Sequence, residues 1–197
     1  MTKTSSLTDK AVIKPVFCAV FAALICAVAP ISVPIGPVPV SLATFAVMLA
    51  GFVLGPASGP AAVLIYLLLG TAGVPVFAGW KSGPGVIAGP TGGYLAGYAL
   101  LALACGLYML LPPKLTAGVR KYVWMSAFAA IGTALLYAFG TLHFCLQTGT
   151  NASAAIGICV LPFIPGDVLK TVAAVFFTAA IQKSTGKLTA FRKEAKK

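Results

Sequence analysis

Proline and glycine cut this chain into apolar runs close to the length that crosses a bilayer, and that punctuation limits what it can become. An α-helix satisfies its backbone hydrogen bonds internally and spans the hydrocarbon core of a membrane in about 20 residues. Apolar runs lie at 15–31, 40–54, 58–70, 91–111, 122–146 and 167–181, the last with an apolar lead-in from Ala152. Between them stand ISVPIGPVPV, the pair Gly55-Pro56, a Gly-rich stretch over 71–89, and Pro112-Pro113. The second and third runs are short enough to tilt or to lie partly within protein. Only 9% of the residues are charged, against about 25% in a typical soluble domain. A chain so poor in charge cannot cover a water-facing surface. The expectation is an all-α membrane protein: one integral membrane domain over 1–197 with six transmembrane helices.

The few charges then set the direction. Cytoplasmic loops collect Lys and Arg. Lys3, Lys10 and Lys14 precede the first run, Lys114, Arg120 and Lys121 follow the fourth, and Lys183, Lys187, Arg192, Lys193, Lys196 and Lys197 follow the last. These are twelve of the 14 basic residues. Six crossings place all three groups on one side, so residues 1–14 and the basic tail 183–197 are expected in the cytoplasm of a multi-pass protein of the cell's inner (plasma) membrane. The net charge of +11 is a topology signal on this reading. Without aromatic residues interleaved among the basic ones it does not point to nucleic acid. The basic start followed by an apolar run resembles a signal peptide, but the apolar character continues throughout, and the first run reads as the first membrane helix.

Several chemistries are excluded by what is missing. The cysteines Cys18, Cys26, Cys105, Cys145 and Cys159 lie dispersed in apolar runs, where cysteine acts as a small hydrophobe. With His143 as the single histidine they suggest neither a disulfide framework nor a metal site, and His143 reads as a packed or interfacial residue. There is no phosphate-binding G-x-x-x-x-G-K-[ST], no H-E-x-x-H, no G-x-S-x-G and no carboxylate pair suited to acid–base work. No enzyme and no cofactor are expected.

What remains is a small set of residues out of place in lipid. A charge near the middle of a membrane helix costs about 2.5–3.5 kcal/mol and persists where it is paired or functional. Only Lys81, Asp167 and Lys170 lie outside the cytoplasmic groups and the termini. Asp167 and Lys170 are three apart, on one helix face. They follow PFIPG, whose prolines break a helix and whose Gly166 frees the backbone. Asp167 is therefore expected at or near a helix N-terminus, where capping and ligand binding use the same lone pairs. The two readings are equally supported. The segment 73–94 is too Gly-rich for a lipid-facing helix, and irregular backbone at membrane depth survives only inside protein or against a cavity. It carries Gly79, Trp80 and Lys81 and closes on Tyr94. An aromatic ring beside a cation suits a ligand with a flat apolar body and a carboxylate, although interfacial Trp and Lys are common on their own. Small residues four apart, at Ala19, Ala23 and Ala27, at Gly51, Gly55 and Gly59, and at Gly93 and Gly97, permit close helix contact. The spacing does not say whether that contact is internal or with a partner.

At these residues the chain resembles the BioY family, the biotin-specific substrate-binding (S) components of energy-coupling factor (ECF) transporters. The matching pieces are VPIGPVPVSLATFAVMLAGFVLGP, YLLLGTAGVPVFAG, GPTGGYLAGY and LPFIPGDVLK, in the family's order over most of the chain. The resemblance implies a biotin site near the outer face. It also implies a membrane coupling subunit and two cytoplasmic ATPase subunits as partners, which would explain the missing phosphate loop. The alanine face of the first helix, Ala19, Ala23 and Ala27, is the implied coupling contact. Asp167 would accept from the ureido N–H groups of biotin and Lys170 would donate to the ureido oxygen, with Tyr94 and the loop from Gly79 lining the pocket. Where the family often has glutamine this chain has Ala43, so that contact is lost or passes to Thr44. Trp80 and Lys81 interrupt the family's glycine run, and Lys81 is placed to pair with the valerate carboxylate. The loop ISVPIGPVPV is expected to gate the site, so trapping it by cross-linking should block ligand exchange.

Two other readings remain at this stage. A stand-alone secondary transporter would use Asp167 as a proton relay, although no inverted repeat is visible. A membrane scaffold would bind no ligand.

Overall fold

The computed structural model describes the backbone of residues 3–35 and 37–184, with side chains for 14–35 and 37–183. Lys3, Lys10 and the tail beyond 184, which carry part of the expected topology signal, lie outside the described side chains.

Helices dominate. Their order is α1 (Lys3–Val28), a two-stranded ribbon of β1 (Ser32–Val33) and β2 (Val40–Ser41), then α2 (Ala43–Thr71), α3 (Pro84–Ala88), α4 (Gly92–Leu107), α5 (Arg120–Thr148), α6 (Ala152–Cys159) and α7 (Ile164–Ser184). Short 3-10 turns stand at Ala78–Trp80 and Tyr108–Leu110. Among the described residues, four segments are long and apolar enough to cross a membrane: Ala43–Thr71, Gly92–Leu110, Arg120–Thr148 and Ile164–Lys183. Lys14–Val28 is a shorter apolar helix.

The second and third apolar runs form the two arms of α2. They do not run straight on. Gly55 has φ 86° and ψ −174°, a conformation open essentially to glycine alone. Pro56 occupies the first position beyond it, where a missing N–H costs little. Residues eight apart in an unbroken helix are separated by about 12 Å. Here a Cβ placed on Gly59 would come within 2.9 Å of the Gly51 Cα, so the second arm folds back along the first. The glycine spacing at 51, 55 and 59 is thus an internal contact.

α4 is the buried centre of the bundle, with Leu101, Ala102 and Cys105 fully covered. Its neighbours reach it across glycine. A Cβ on Gly51 would lie 2.5 Å from the Ala102 carbonyl oxygen, and one on Gly106 would lie 2.5 Å from the Gly55 carbonyl carbon. A Cβ on Gly93 would meet His143, and one on Gly97 would meet Leu136, both on α5. On α1 the buried face is Cys18, Phe21, Ala22 and Ile25, continued by Ala29 just past its end, while Ala19, Ala23 and Ala27 face outward.

Several local expectations are corrected. α1 runs through Pro15 rather than starting there. The loop after it pairs as a ribbon, Ser32 against Ser41 and Val33 against Val40, so a small antiparallel element joins the otherwise helical fold. The lead-in at Ala152 is a separate helix, started by Asn151, whose side-chain oxygen accepts from the Ser153 N–H at 3.2 Å. α7 begins three residues before Asp167, and the Asp167 N–H already donates to the Phe163 carbonyl at 2.9 Å. Asp167 thus does lie near a helix N-terminus as expected, inside the first turn, and its carboxylate meets side chains of α2, α5 and α7.

Candidate ligand-binding site

Four helices meet at one end of the bundle. The N-termini of α2, α4 and α7 bring Thr44, Tyr94 and Asp167; the C-terminal part of α5 brings Tyr137 and Thr141; the ribbon closes over them with Ser41. Lys170 lies one turn further along α7. Asp167 is 4% and Lys170 9% exposed, so neither charge is satisfied by solvent.

They are satisfied by each other and by neighbours. Lys170 Nζ donates to Asp167 Oδ1 at 2.9 Å and to the Ser41 carbonyl at 2.7 Å. Thr44 Oγ1 donates to the same carboxylate oxygen at 3.1 Å. Tyr137 donates its phenolic O–H to Asp167 Oδ2 at 2.5 Å. One carboxylate thus gathers donors from α2, α5 and α7, and Lys170 ties α7 to the ribbon. Ser41 is fixed in turn, its hydroxyl donating to the Ala29 carbonyl at 2.6 Å and accepting from the Ala43 N–H at 3.0 Å. A buried pair of this kind stands only if every polar atom finds a partner, and the donors supply them.

Two adjoining cavities start from this cluster. The first is lined by Asp167, Lys170, Thr44, Tyr137 and Ser41 together with apolar groups of Phe163 and Leu136. The second runs toward the Gly-rich loop and is lined by Phe77, Ala78, Lys81, Val86, Thr91 and Leu95. Val38, Pro39, Tyr94 and Tyr98 belong to both. The result is one elongated site: a polar end at the ion pair, a waist of two tyrosines under the Val38-Pro39 segment, and an exposed cation, Lys81, at the far end. Lys81 makes no ion pair with any described residue. The cavities hold about 30 and 50 Å³, where a single water needs about 10–15 Å³. The space is solvent-sized, and Val38 and Pro39, between the strands, and Ser41 on β2 are among the residues that line it.

The structure gathers Asp167, Lys170, Thr44, Tyr94 and Lys81 around this space. It does not gather Trp80 or Gly79. Gly79 and Trp80 both adopt left-handed backbone, φ 69° and 62°, which turns the indole outward, 67% exposed, away from both cavities. Gly79 instead anchors the loop, its N–H donating to the Pro30 carbonyl at 3.1 Å. Sequence reasoning missed Tyr137, Tyr98 and Ser41. The signal for Tyr137 was a phenol in the middle of a long apolar helix, since a buried tyrosine hydroxyl needs a partner. Tyr94 has its own: its hydroxyl is 2.9 Å from Thr141 Oγ1 and donates to the Cys159 carbonyl at 3.4 Å. Its ring lies against Gly140, where a Cβ would fall 2.3 Å from it.

The sequence profile of the BioY family matches residues 1–187. The chain belongs to the BioY family. Among its relatives is the biotin transporter BioY of Thermotoga maritima, 39% identical over 166 residues, which cover 83% of this chain and 92% of that one. The probable biotin transporter BioY of Pyrococcus horikoshii is 38% identical over 167 residues, 85% of this chain and 94% of that one. The fold matches the crystal structure of the S-component for biotin from an ECF-type ABC transporter, with a TM-score of 0.80 and 27% identity over 93% of this chain and 95% of that one. The BioY fold therefore frames the elongated site described above.

Proposed function

We propose that this chain captures biotin from the outer face of the cell membrane and delivers it as the substrate-binding subunit of an ATP-driven ECF transporter. The observation that carries the reading is the buried Asp167–Lys170 pair, opening onto a cavity that ends at an exposed lysine, in a chain whose family relatives are biotin transporters. Biotin has the complementary order of groups: a ureido ring with two N–H donors and one oxygen, an apolar thiophane, and a carboxylate on a flexible chain. Asp167 receives a ureido N–H and Lys170 the ureido oxygen. Thr44 supports that end, Tyr94 and Tyr98 wall the bicycle, and Lys81 meets the carboxylate. Trp80 and Gly79 serve by shaping the loop that carries Lys81. The ribbon must lift to admit so large a ligand, which makes it the gate.

The whole chain forms a single integral membrane domain on this reading. The two arms of α2 count as separate crossings and α1 as another, which gives six, with both termini in the cytoplasm and the site outside, in the plasma membrane. The outward stripe Ala19, Ala23 and Ala27 meets the membrane coupling subunit, and two ATPase subunits supply the energy. Asp167 acts by holding a ligand, since its carboxylate is engaged by Lys170, Thr44 and Tyr137 rather than facing a proton path.

Calorimetric titration of biotin into the detergent-purified chain tests the reading, with lipoate and thiamine as controls and Asp167→Asn as the variant. Tight biotin binding that collapses in the variant supports capture with Asp167 in the site. Binding that survives reduces Asp167 to a structural residue. A well-folded wild type that binds no biotin sinks the assignment.

A further inference from the structure

We infer that Tyr137 is the positioning residue for the ligand-binding carboxylate, and that its ring is the wall between the ligand cavity and a second space between α5 and α7. The inference rests on the biotin reading above.

A carboxylate offers about four lone-pair directions. Asp167 Oδ1 spends two on Thr44 and Lys170. Oδ2 accepts from Tyr137, which leaves one direction of Oδ2 unspent beside the cavity that Asp167 and Tyr137 both line. The last torsion of an aspartate is soft, with broad, roughly two-fold wells. Without the phenol, nothing on α5 holds Oδ2 in place, and the carboxylate is free to turn that oxygen toward Lys170, three residues on. The ligand would then meet an acceptor already engaged. Tyr137 fixes which oxygen the site presents.

The second space sets the same residue apart. A groove of about 380 Å³ separates α5 from α7, lined by Ala130, Ala134, Val168 and Val172 among others. Tyr137 and Asp167 line this groove as well as the ligand cavity. Their hydrogen bond crosses the boundary, bridging two helices that pack loosely beside it. Removing the hydroxyl leaves the wall standing and unfastens it from α7.

The test is a double-mutant cycle by calorimetry on the full chain in detergent, using Tyr137→Phe, Asp167→Asn and the pair, with biotin and a biotin methylated on both ureido nitrogens as probes. Tyr137→Phe removes one oxygen and keeps the ring. A carboxylate turned away from the cavity loses its own charged hydrogen bond to biotin, which predicts biotin affinity about 10- to 100-fold weaker. In the Asp167→Asn background the same change has less than about threefold effect, because residues acting through one another are not additive. The methylated probe, which cannot donate to Asp167, is weakened by Tyr137→Phe far less than biotin is. Tyr137→Phe loses a hydrogen bond to a buried charge and melts lower by about 3–12 °C, so the titrations are read well below that temperature, where the variant stays folded. Wild-type biotin affinity in Tyr137→Phe, or equal losses in the two backgrounds, overturns the inference while leaving biotin capture intact. A wild type that binds no biotin overturns both.

Discussion

Lys170 does two jobs whose separation can be measured, because it pairs with a buried carboxylate and also holds the ribbon. Replacing it with methionine fills similar volume but strands Asp167, 4% exposed, with only the neutral donors Thr44 and Tyr137. Breaking a buried ion pair by removing one partner costs about 3–5 kcal/mol. For a chain of this size each kcal/mol moves the unfolding temperature by about 2–4 °C. Lys170→Met should therefore lower it by about 6–20 °C in detergent without ligand. The double variant Lys170→Met with Asp167→Asn removes the stranded charge. Its amide still accepts from Thr44 or Tyr137, and the residual cost is that of imperfect hydrogen bonds and an unpaired Ser41 carbonyl, about 1–2 kcal/mol, or about 2–8 °C. The double variant should thus be more stable than the single. Intrinsic-fluorescence melting of wild type, Lys170→Met and the double variant decides it. If the double variant melts at or below Lys170→Met, the losses add, and the pair is not a buried charge network of the kind described.

Two further outcomes follow from the ends of the site. Lys81 is exposed and on the proposed reading meets only the ligand's tail, so Lys81→Ala should weaken biotin by about two- to fivefold, as expected of a solvent-screened pair, and leave biotin methyl ester unaffected; unchanged biotin affinity would remove Lys81 from the site. The topology predicts that a cysteine at Ser82, beside the site, reacts with a membrane-impermeant maleimide on intact cells while one at Lys114 reacts only after lysis, in a background with the native cysteines replaced; the reverse pattern would invert the membrane orientation.

How much of this was legible in the sequence depended on whether a signal was local. Asp167 and Lys170 are three residues apart, so helical geometry alone put them together, and their cost in lipid marked them as paired. Thr44 lies 123 residues from Asp167, and only the family resemblance pointed to it. Tyr137 had neither advantage. It sits in the apolar run ALLYAFG, 30 residues from its partner, and a lone phenol there reads as ordinary packing until the fold shows which helix end it faces. Gly55-Pro56 was legible as a stop but not as a reversal, because that depends on the glycine adopting a φ of 86°. Trp80 shows the same limit from the other side: residue type made it a good ring for a ligand, and the sign of two φ angles turned it to the surface. Small-residue spacing was ambiguous for a related reason. At Gly51 and Gly59 the contact is within the chain, whereas Ala19, Ala23 and Ala27 face outward with the same period. Period tells which residues share a face, and only the packing of the other helices tells whether that face is already occupied. An unoccupied face on a helix whose opposite side is fully buried is therefore the more informative of the two, and it is the one the coupling reading needs.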